Sequence, residues 1–107
     1  MYVNFFLYFG LMLTKNEILE KLKELKPVLA NEFSVKEIGL FGSYSDNEQN
    51  EESDIDILVE FDKPIGWKFF SLEKYLEDIF KRKVDLVTKN ALKKQLKDRI
   101  LNQTLFL

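Results

Sequence analysis

The sequence predicts a small α/β (α+β) domain in which helices pack on a small mixed β-sheet. Segments with an apolar residue every three or four positions alternate with short segments that are nearly continuously apolar, and these are the patterns of amphipathic helices and buried strands. The chain has 107 residues, of which 46% are hydrophobic and 14% aromatic, enough for one core. The predicted order is helix, strand, polar loop, strand, helix, strand, helix, which places helices against one sheet.

The first helix is predicted to begin at the segment Thr14-Lys-Asn-Glu17, which has the pattern of a capping box. Apolar residues then recur at helical spacing: Ile18, Leu22, Leu25, Leu29 and Phe33. Pro27 lies inside this pattern and predicts either a kink or a split into two short helices. Proline lacks an N–H donor, and its ring clashes with the preceding turn.

Residues 1–13, MYVNFFLYFGLML, are predicted to be a hydrophobic N-terminal extension, and residues 14–107 the folded domain. The extension is too short to span a bilayer, and it lacks the basic region and the small-residue cleavage site of a signal peptide. A cytoplasmic protein is therefore expected. Three interpretations of the extension stay open: translation that truly begins at Met12, an added edge strand, or an apolar surface for a partner.

The remaining elements follow from local patterns. Strands are predicted at residues 36–41, 54–61 and 84–87, and helices at 67–80 and 90–101. Residues 44–53 are polar and predict a loop or a short helix. The last helix carries one apolar stripe, made of Leu92, Leu96 and Ile100. Lysines lie on the opposite side of the helix. Three aromatic residues near the start of the preceding helix are predicted to be core or a partner surface: Trp67, Phe69 and Phe70.

Composition excludes several classes of chemistry. The chain has no Cys and no His, which removes disulfides, thiolate and histidine metal sites, and catalytic triads. Any metal must therefore be a hard cation held by oxygen atoms. The net charge of −2 argues against bulk nucleic-acid binding. A basic stretch at 81–99 is interpreted as a solvated helix face or as a contact for phosphates or an acidic partner.

Three aspartates are the candidate catalytic and metal-binding residues. Asp54 and Asp56 are two positions apart in a predicted strand, so both side chains point to the same face. Asp85 lies in the middle of the strand VDLV and stands beside them if the two strands pair. Three close carboxylates raise one another's pKa, and a divalent cation is the simplest compensation. Two such ions about 4 Å apart would clamp the attacking and leaving oxygens of a phosphoryl transfer.

Gly42 and Ser43 are the candidate phosphate-binding residues, because they directly follow a predicted strand. Glycine allows the backbone to approach a phosphate closely, and free N–H groups in such a turn attract anions. The Ser43 hydroxyl can donate a further hydrogen bond. Together with the aspartates, these residues predict a triphosphate whose α-phosphate lies at the metal site.

The stretches Leu40-Phe-Gly-Ser-Tyr44 and Ser53-Asp-Ile-Asp-Ile-Leu-Val59 resemble the signature of the DNA polymerase β-like nucleotidyltransferase superfamily, especially its minimal, MNT-type branch. The resemblance covers residues 14–101. It implies the nucleotidyltransferase fold, Mg²⁺, and ATP as donor, with Asp54 and Asp56 binding the metal. It also implies that Asp85 completes the metal site and accepts the proton of the acceptor hydroxyl, and that Gly42 and Ser43 hold phosphates. Members of this branch are commonly antitoxins that adenylylate a Tyr of a HEPN-domain toxin.

The sequence departs from that signature after Ser43. The family often has Arg and then Gly where this chain has Asp46 and Asn47. An Arg would offset the charge of the triphosphate, and an Asp opposes it. Two hypotheses therefore stand beside each other: an enzyme that adenylylates a HEPN partner, and a degenerate module that neutralises its partner by contact alone. A small-molecule acceptor, as in the aminoglycoside-modifying relatives, is disfavoured because 107 residues leave no room for an acceptor-binding domain.

Overall fold

The computed structural model describes residues 14–42 and 54–107. In these ranges it contains three α-helices, α1 (Lys15–Phe33), α2 (Lys68–Phe80) and α3 (Lys94–Gln103), a 3₁₀ turn at Lys89–Ala91, and four strands, β1 (Val35–Phe41), β2 (Ile55–Phe61), β3 (Val84–Thr88) and β4 (Leu105–Phe106). The predicted mixed α/β class is confirmed. None of the described helices is long and apolar enough to cross a membrane.

The described strands form one mixed sheet in the order β3-β2-β1-β4. The β1–β2 and β1–β4 pairs are antiparallel, whereas β2 and β3 run parallel. Helix α2 connects the two parallel strands, as a crossover requires. The acidic strand β2 is therefore central, and β3 lies at an edge.

The sheet has two different faces, which follow from the alternation of side chains along each strand. One face packs against α1 and α2 and contributes to the main core Ile38, Leu40, Ile55, Ile57, Val59, Val84 and Leu86. The opposite face, called here the carboxylate face, carries Asp56, Leu58 and Glu60 from β2 and Asp85 from β3. Leu58 is fully buried although it lies outside the main core cluster, so β2 is covered on both faces at this point, as its apolar sequence predicted.

Helix α1 begins with the predicted capping box, in which Thr14 and Glu17 each accept a hydrogen bond from the other's backbone N–H. The helix is continuous through Pro27, so the alternative of two short helices is wrong. Pro27 lies on the exposed side of the helix, while Leu22 and Leu29 are fully buried on either side of it. Burial of this apolar stripe holds the helix together across the one hydrogen bond that proline removes.

The end of the chain differs from its predicted structure. A helix was expected at 90–101, but a 3₁₀ turn comes first, capped by Thr88, whose side chain accepts a hydrogen bond from the Ala91 N–H. Leu92 and Lys93 are extended, so α3 begins only at Lys94. Strand β4 was not predicted. Only two residues long, it is recognisable through its pairing with β1 and not through a sequence pattern.

A charged cluster on the carboxylate face ties the strands together. The Lys89 ammonium donates a hydrogen bond to the Glu37 carboxylate and lies 3.5 Å from that of Glu60. It also lies 5.0 Å from the ring centroid of Phe106, at cation–π distance. The hydrogen bond to Glu37, followed by the charges of both glutamates, raises the pKa of Lys89. Lys89 thus contacts residues of β1, β2 and β4 from the end of β3.

Replacing Lys89 by Met is expected to lower the free energy of unfolding by about 1–2 kcal/mol. Glu37 and Glu60 lie directly opposite each other on paired strands, and the positive charge of Lys89 between them offsets the repulsion of the two carboxylates. Because the pKa of Lys89 is raised, its stabilising charge is lost only at strongly alkaline pH, so the loss in the variant should be equal at pH 6 and pH 8. Urea unfolding measures it. Lys36→Met, at an exposed lysine of the same sheet, is the control, and an equal loss there would contradict the role of the cluster.

Candidate active site

The register of the two parallel strands places two of the three predicted aspartates side by side. Asp56 of β2 pairs with Asp85 of β3, as the alternation argument predicted, and both lie on the carboxylate face. Their neighbours Ile55, Ile57, Val84 and Leu86 are buried in the core on the other face. Burial of these apolar neighbours fixes the register, because a slip by one residue would bury the carboxylates and expose the core.

Asp54 lies immediately before β2 and is exposed. It is close enough to contribute to the electrostatics of Asp56. Partial burial, and after it the negative charges of Asp85 and Asp54, together raise the pKa of Asp56 from 3.8 to about 6. Within the described residues, the three carboxylates therefore form one repulsive group centred on Asp56.

Gly42, at the end of β1, lies directly against the Asp56 carboxylate. A Cβ atom built on Gly42 would lie 2.1 Å from the Asp56 Oδ2 atom, and the φ angle of Gly42 is +74°. Both the left-handed backbone and the close approach require glycine here. The sequence predicted Gly42 as a phosphate-binding residue, and its steric fit to Asp56 was not foreseen, since nothing in the sequence pairs these two positions.

The donor set suits a hard divalent cation. Carboxylate oxygens are the ligands that Mg²⁺ prefers, and Asp56 is partly buried beside two further carboxylates, which raises its pKa. In the described ranges, no three acidic side chains already converge as a finished metal cluster. The strand register pairs Asp56 with Asp85, and carboxylates can turn about χ1 and χ2, so the residues fit Mg²⁺ in the kind of ligand that they offer.

The structure brings together only part of the predicted site. Gly42, Asp56 and Asp85 are adjacent, and Asp54 is at the strand end beside them. Ser43, Asp46 and the acidic stretch of 44–53 lie outside the described residues, as does the extension 1–13. Phe41 was not predicted as a site residue, yet it pairs with Asp56 across the antiparallel strands and flanks the carboxylates.

The aromatic residues at the start of α2 divide between core and surface. Phe69 is partly buried and packs against the core. Trp67 is 84% exposed and Phe70 59% exposed, and their ring centroids are 5.9 Å apart. They follow the end of β2, whereas Asp56 lies near its start, so this pair belongs to the other end of the sheet from the carboxylates.

Replacing Asp56 by Asn is expected to stabilise the metal-free fold at neutral pH. The raised pKa means that the folded state holds its proton up to about pH 6, whereas the unfolded chain releases it near 3.8. Ionised Asp56 therefore lowers the free energy of unfolding progressively between these values. Because the side chain is only half buried, the gain in the variant is about 1 kcal/mol above pH 7 and close to zero near pH 4.

Thermal unfolding in EDTA at pH 4.5 and 7.5 measures this stabilisation. Asp62→Asn, the same chemical change at an exposed residue just after β2, is the control. Its Tm difference from the wild-type chain should be the same at pH 4.5 and pH 7.5. A gain for Asp56→Asn that stays constant between the two pH values would contradict the electrostatic origin of the effect.

Comparison with known proteins identifies a matching domain family and several similar proteins. The model of the nucleotidyltransferase domain family matches residues 15–107. A homologue from Methanocaldococcus jannaschii, provisionally named a protein adenylyltransferase, is 52% identical over 84 residues, which are 78% of this chain and 98% of the homologue. The protein adenylyltransferase MntA of Thermococcus cleftensis is 44% identical over 96 residues, covering 89% of this chain and 97% of MntA.

Three solved structures have a fold similar to that of this chain. A structure provisionally described as a minimal nucleotidyltransferase superposes with a TM-score of 0.72 at 27% identity, over 85% of this chain and 94% of the other. A toxin–antitoxin structure with AMP-PNP gives 0.63 at 28% identity, covering 88% and 72% of the two chains. A complex of a tri-AMPylated Shewanella oneidensis HEPN toxin with an MNT antitoxin gives 0.54 at 26% identity, covering 86% and 66%.

Proposed function

The chain belongs to the nucleotidyltransferase domain family, and on that premise we propose that it transfers AMP from ATP to a tyrosine hydroxyl of a HEPN-domain toxin, which it thereby neutralises as an antitoxin. One observation carries the proposal. Asp56 and Asp85 lie side by side on the carboxylate face of the sheet, and Gly42 lies directly against Asp56. Carboxylates for a cation and a tight glycine turn for phosphates are the parts that adenylyl transfer needs.

The reaction replaces one phosphorus–oxygen bond by another. The acceptor oxygen bonds to the α-phosphorus of ATP, the bond from that phosphorus to the bridging oxygen breaks, and pyrophosphate leaves. The proton of the acceptor hydroxyl passes to the Asp85 carboxylate, which is exposed at the edge of the sheet. Gly42, with Ser43, holds the phosphates, and the sheet keeps the acceptor in line with the leaving oxygen, so positioning supplies much of the acceleration.

Mg²⁺ would be held by Asp54 and Asp56, and Asp85 would complete its site. When bound, the ion would neutralise phosphate charge and stabilise the charge that develops on the leaving oxygen. In this proposal the protein keeps three carboxylates close together, and the raised pKa of Asp56, caused by partial burial and by the charges of Asp85 and Asp54, is consistent with a cost in stability.

The HEPN-domain toxin is proposed as the partner because two similar structures are toxin–antitoxin complexes. A tri-AMPylated HEPN toxin of Shewanella oneidensis forms a complex with an MNT antitoxin, and a related toxin–antitoxin structure contains AMP-PNP. A second function is favoured by Asp46, an acidic residue where the family signature often has Arg. In that case the chain binds the toxin and neutralises it without transferring a nucleotide.

Intact-mass spectrometry tests the two functions directly. The HEPN-domain protein encoded by the same genome is incubated with the chain, ATP and Mg²⁺. Its intact mass is then measured, and the modified residues are located by peptide fragmentation. AMP additions on Tyr are expected, and they should require both ATP and Mg²⁺. Inhibition of the toxin with no added mass, for any of the four nucleoside triphosphates, would overturn the enzymatic proposal and support neutralisation by contact.

A further inference from the structure

Helix α3 is unusual because none of its residues is buried. Seven consecutive residues, 93–99, are exposed, and Leu96 is 44% exposed although it heads the apolar stripe of the helix. A helix of ten residues is marginal in water unless a packed face stabilises it. Within the described ranges Leu96 is accessible to another molecule, while Ile100, the other stripe residue inside the helix, is partly buried.

The charge of α3 indicates the kind of molecule. Four basic side chains lie within three positions of Leu96, Lys93, Lys94, Lys97 and Arg99, with Asp98 as the single acid among them. Lys93 and Arg99, three positions before and after Leu96, are its neighbours on the helix surface. In the described ranges none of these four has an ion pair, whereas Lys21, Lys74 and Lys89 are paired. The first turn of the helix contains no acidic residue, and Lys93 has no capping hydrogen bond from its side chain. Lysines at that end oppose the helix dipole, so the helix lacks the usual local support.

The position of α3 relates it to the active site. Thr104, which directly follows the helix, packs over Gly39 on the carboxylate face: a Cβ built on Gly39 would lie 2.5 Å from the Thr104 Cγ2 atom. Leu105 of β4 then pairs with Leu40, next to the Phe41–Asp56 pair. Only β1 separates β4 from β2, so the end of α3 lies roughly 10 Å from the carboxylates, two strand spacings away. A protein held on α3 would therefore have its surface at the open face of the sheet.

We propose that α3 is a docking helix for an acidic surface of the protein that accepts the AMP group. Leu96 makes the apolar contact, Lys93 and Arg99 on either side of it pair with carboxylates of the acceptor protein, and Lys97 adds to the positive charge of the helix. The inference rests on the proposed function, because it assigns to this helix the task of presenting the acceptor hydroxyl to Asp85. Nucleic acid is the other ligand that a basic helix could take, and the net charge of −2 for the chain disfavours it.

The test compares two charge reversals of equal size. Lys93→Glu with Lys97→Glu changes the docking helix, and Lys23→Glu with Lys63→Glu changes two exposed lysines elsewhere. With the HEPN-domain protein of the same genome as substrate, the α3 variant should raise the KM for that protein about tenfold, lose most of its salt dependence, and keep kcat and the KM for ATP within about twofold. The control pair should change none of these. An unchanged KM in the α3 variant would overturn the inference and leave the proposed function standing.

Two further measurements separate the remaining outcomes. If the wild-type chain transfers no AMP, the proposed function fails, and the Kd of the complex with the same HEPN-domain protein decides whether α3 docks it. Hydrogen exchange should show the amides of α3 protected only in that complex, with α2 unchanged; full protection of α3 in the free chain would overturn the inference. Binding of a 20-nucleotide oligouridylate that depends on Lys93 and Lys97, without an effect on the HEPN-domain protein, would also overturn it.

Discussion

Replacing Asp56 by Asn is expected to reduce AMP transfer on the order of a thousandfold while the melting temperature of the metal-free protein rises. The loss follows from the position of Asp56, which lies between Asp54, Asp85 and Gly42 and is the most strongly perturbed carboxylate in the described residues. The gain in stability follows from the same position, since the charge of Asp56 is partly buried and is repelled by Asp85 and Asp54. A variant that is more stable and inactive would show that the fold carries this charge for function.

Asp85→Asn and Asp62→Asn complete the comparison. Asp85 pairs with Asp56 across the strands, so its replacement should also abolish transfer. It should retain more metal-dependent ATP binding than Asp56→Asn, because Asp85 acts mainly on the acceptor proton in the proposed reaction. Asp62→Asn, on the exposed turn after β2, should keep full activity. Single-turnover transfer and equilibrium ATP binding measure the two effects, and a loss of transfer below about tenfold for Asp56→Asn would contradict its assigned role.

The sequence was sufficient to predict the centre of the site because strong local patterns position it. The run from Asp54 to Phe61 is apolar enough to be a buried strand, and the period of two along it puts Asp56 opposite in direction to Ile55 and Ile57. The same argument places Asp85 between the buried Val84 and Leu86. The prediction that Asp85 stands beside Asp56 depended on pairing of the two strands, and the structure confirms that they pair in parallel.

Features that depend on contacts between distant segments were not predictable. The fit of Gly42 against Asp56 requires β1 and β2 to be paired before the two residues meet. Strand β4 is two residues long and exists only through its bonds to β1. The same holds for Lys89, which appears in the sequence as one lysine of a basic stretch and in the fold as the cation between Glu37 and Glu60. The start of α3 was misplaced because Leu92 fits the helical period but is extended after the 3₁₀ turn.

Replacing Gly42 by Ala is expected to reduce AMP transfer by roughly a hundredfold, with a loss of stability of only about 1 kcal/mol. The new methyl group would lie 2.1 Å from the Asp56 Oδ2 atom, so the carboxylate has to turn away from the position it holds beside Asp85. The moving group is the end of a side chain and not backbone, which keeps the structural cost small. The loss of activity is larger because, in the proposed reaction, Asp56 holds the cation and Gly42 holds the phosphates.

Gly66→Ala is a matched control for this prediction, because Gly66 also has a left-handed φ, of +56°. Among the described residues, its chain neighbours aside, no atom lies within 4 Å of its added Cβ. It should show the same backbone strain and a similar fall in Tm, with transfer activity within about twofold of wild type. The difference between the two variants then isolates the contact of Gly42 with Asp56. Combining Gly42→Ala with Asp56→Ala should lower transfer little beyond Asp56→Ala alone, since both act through one carboxylate. Equal activity losses in Gly42→Ala and Gly66→Ala would instead assign the effect to backbone strain and remove Gly42 from the site.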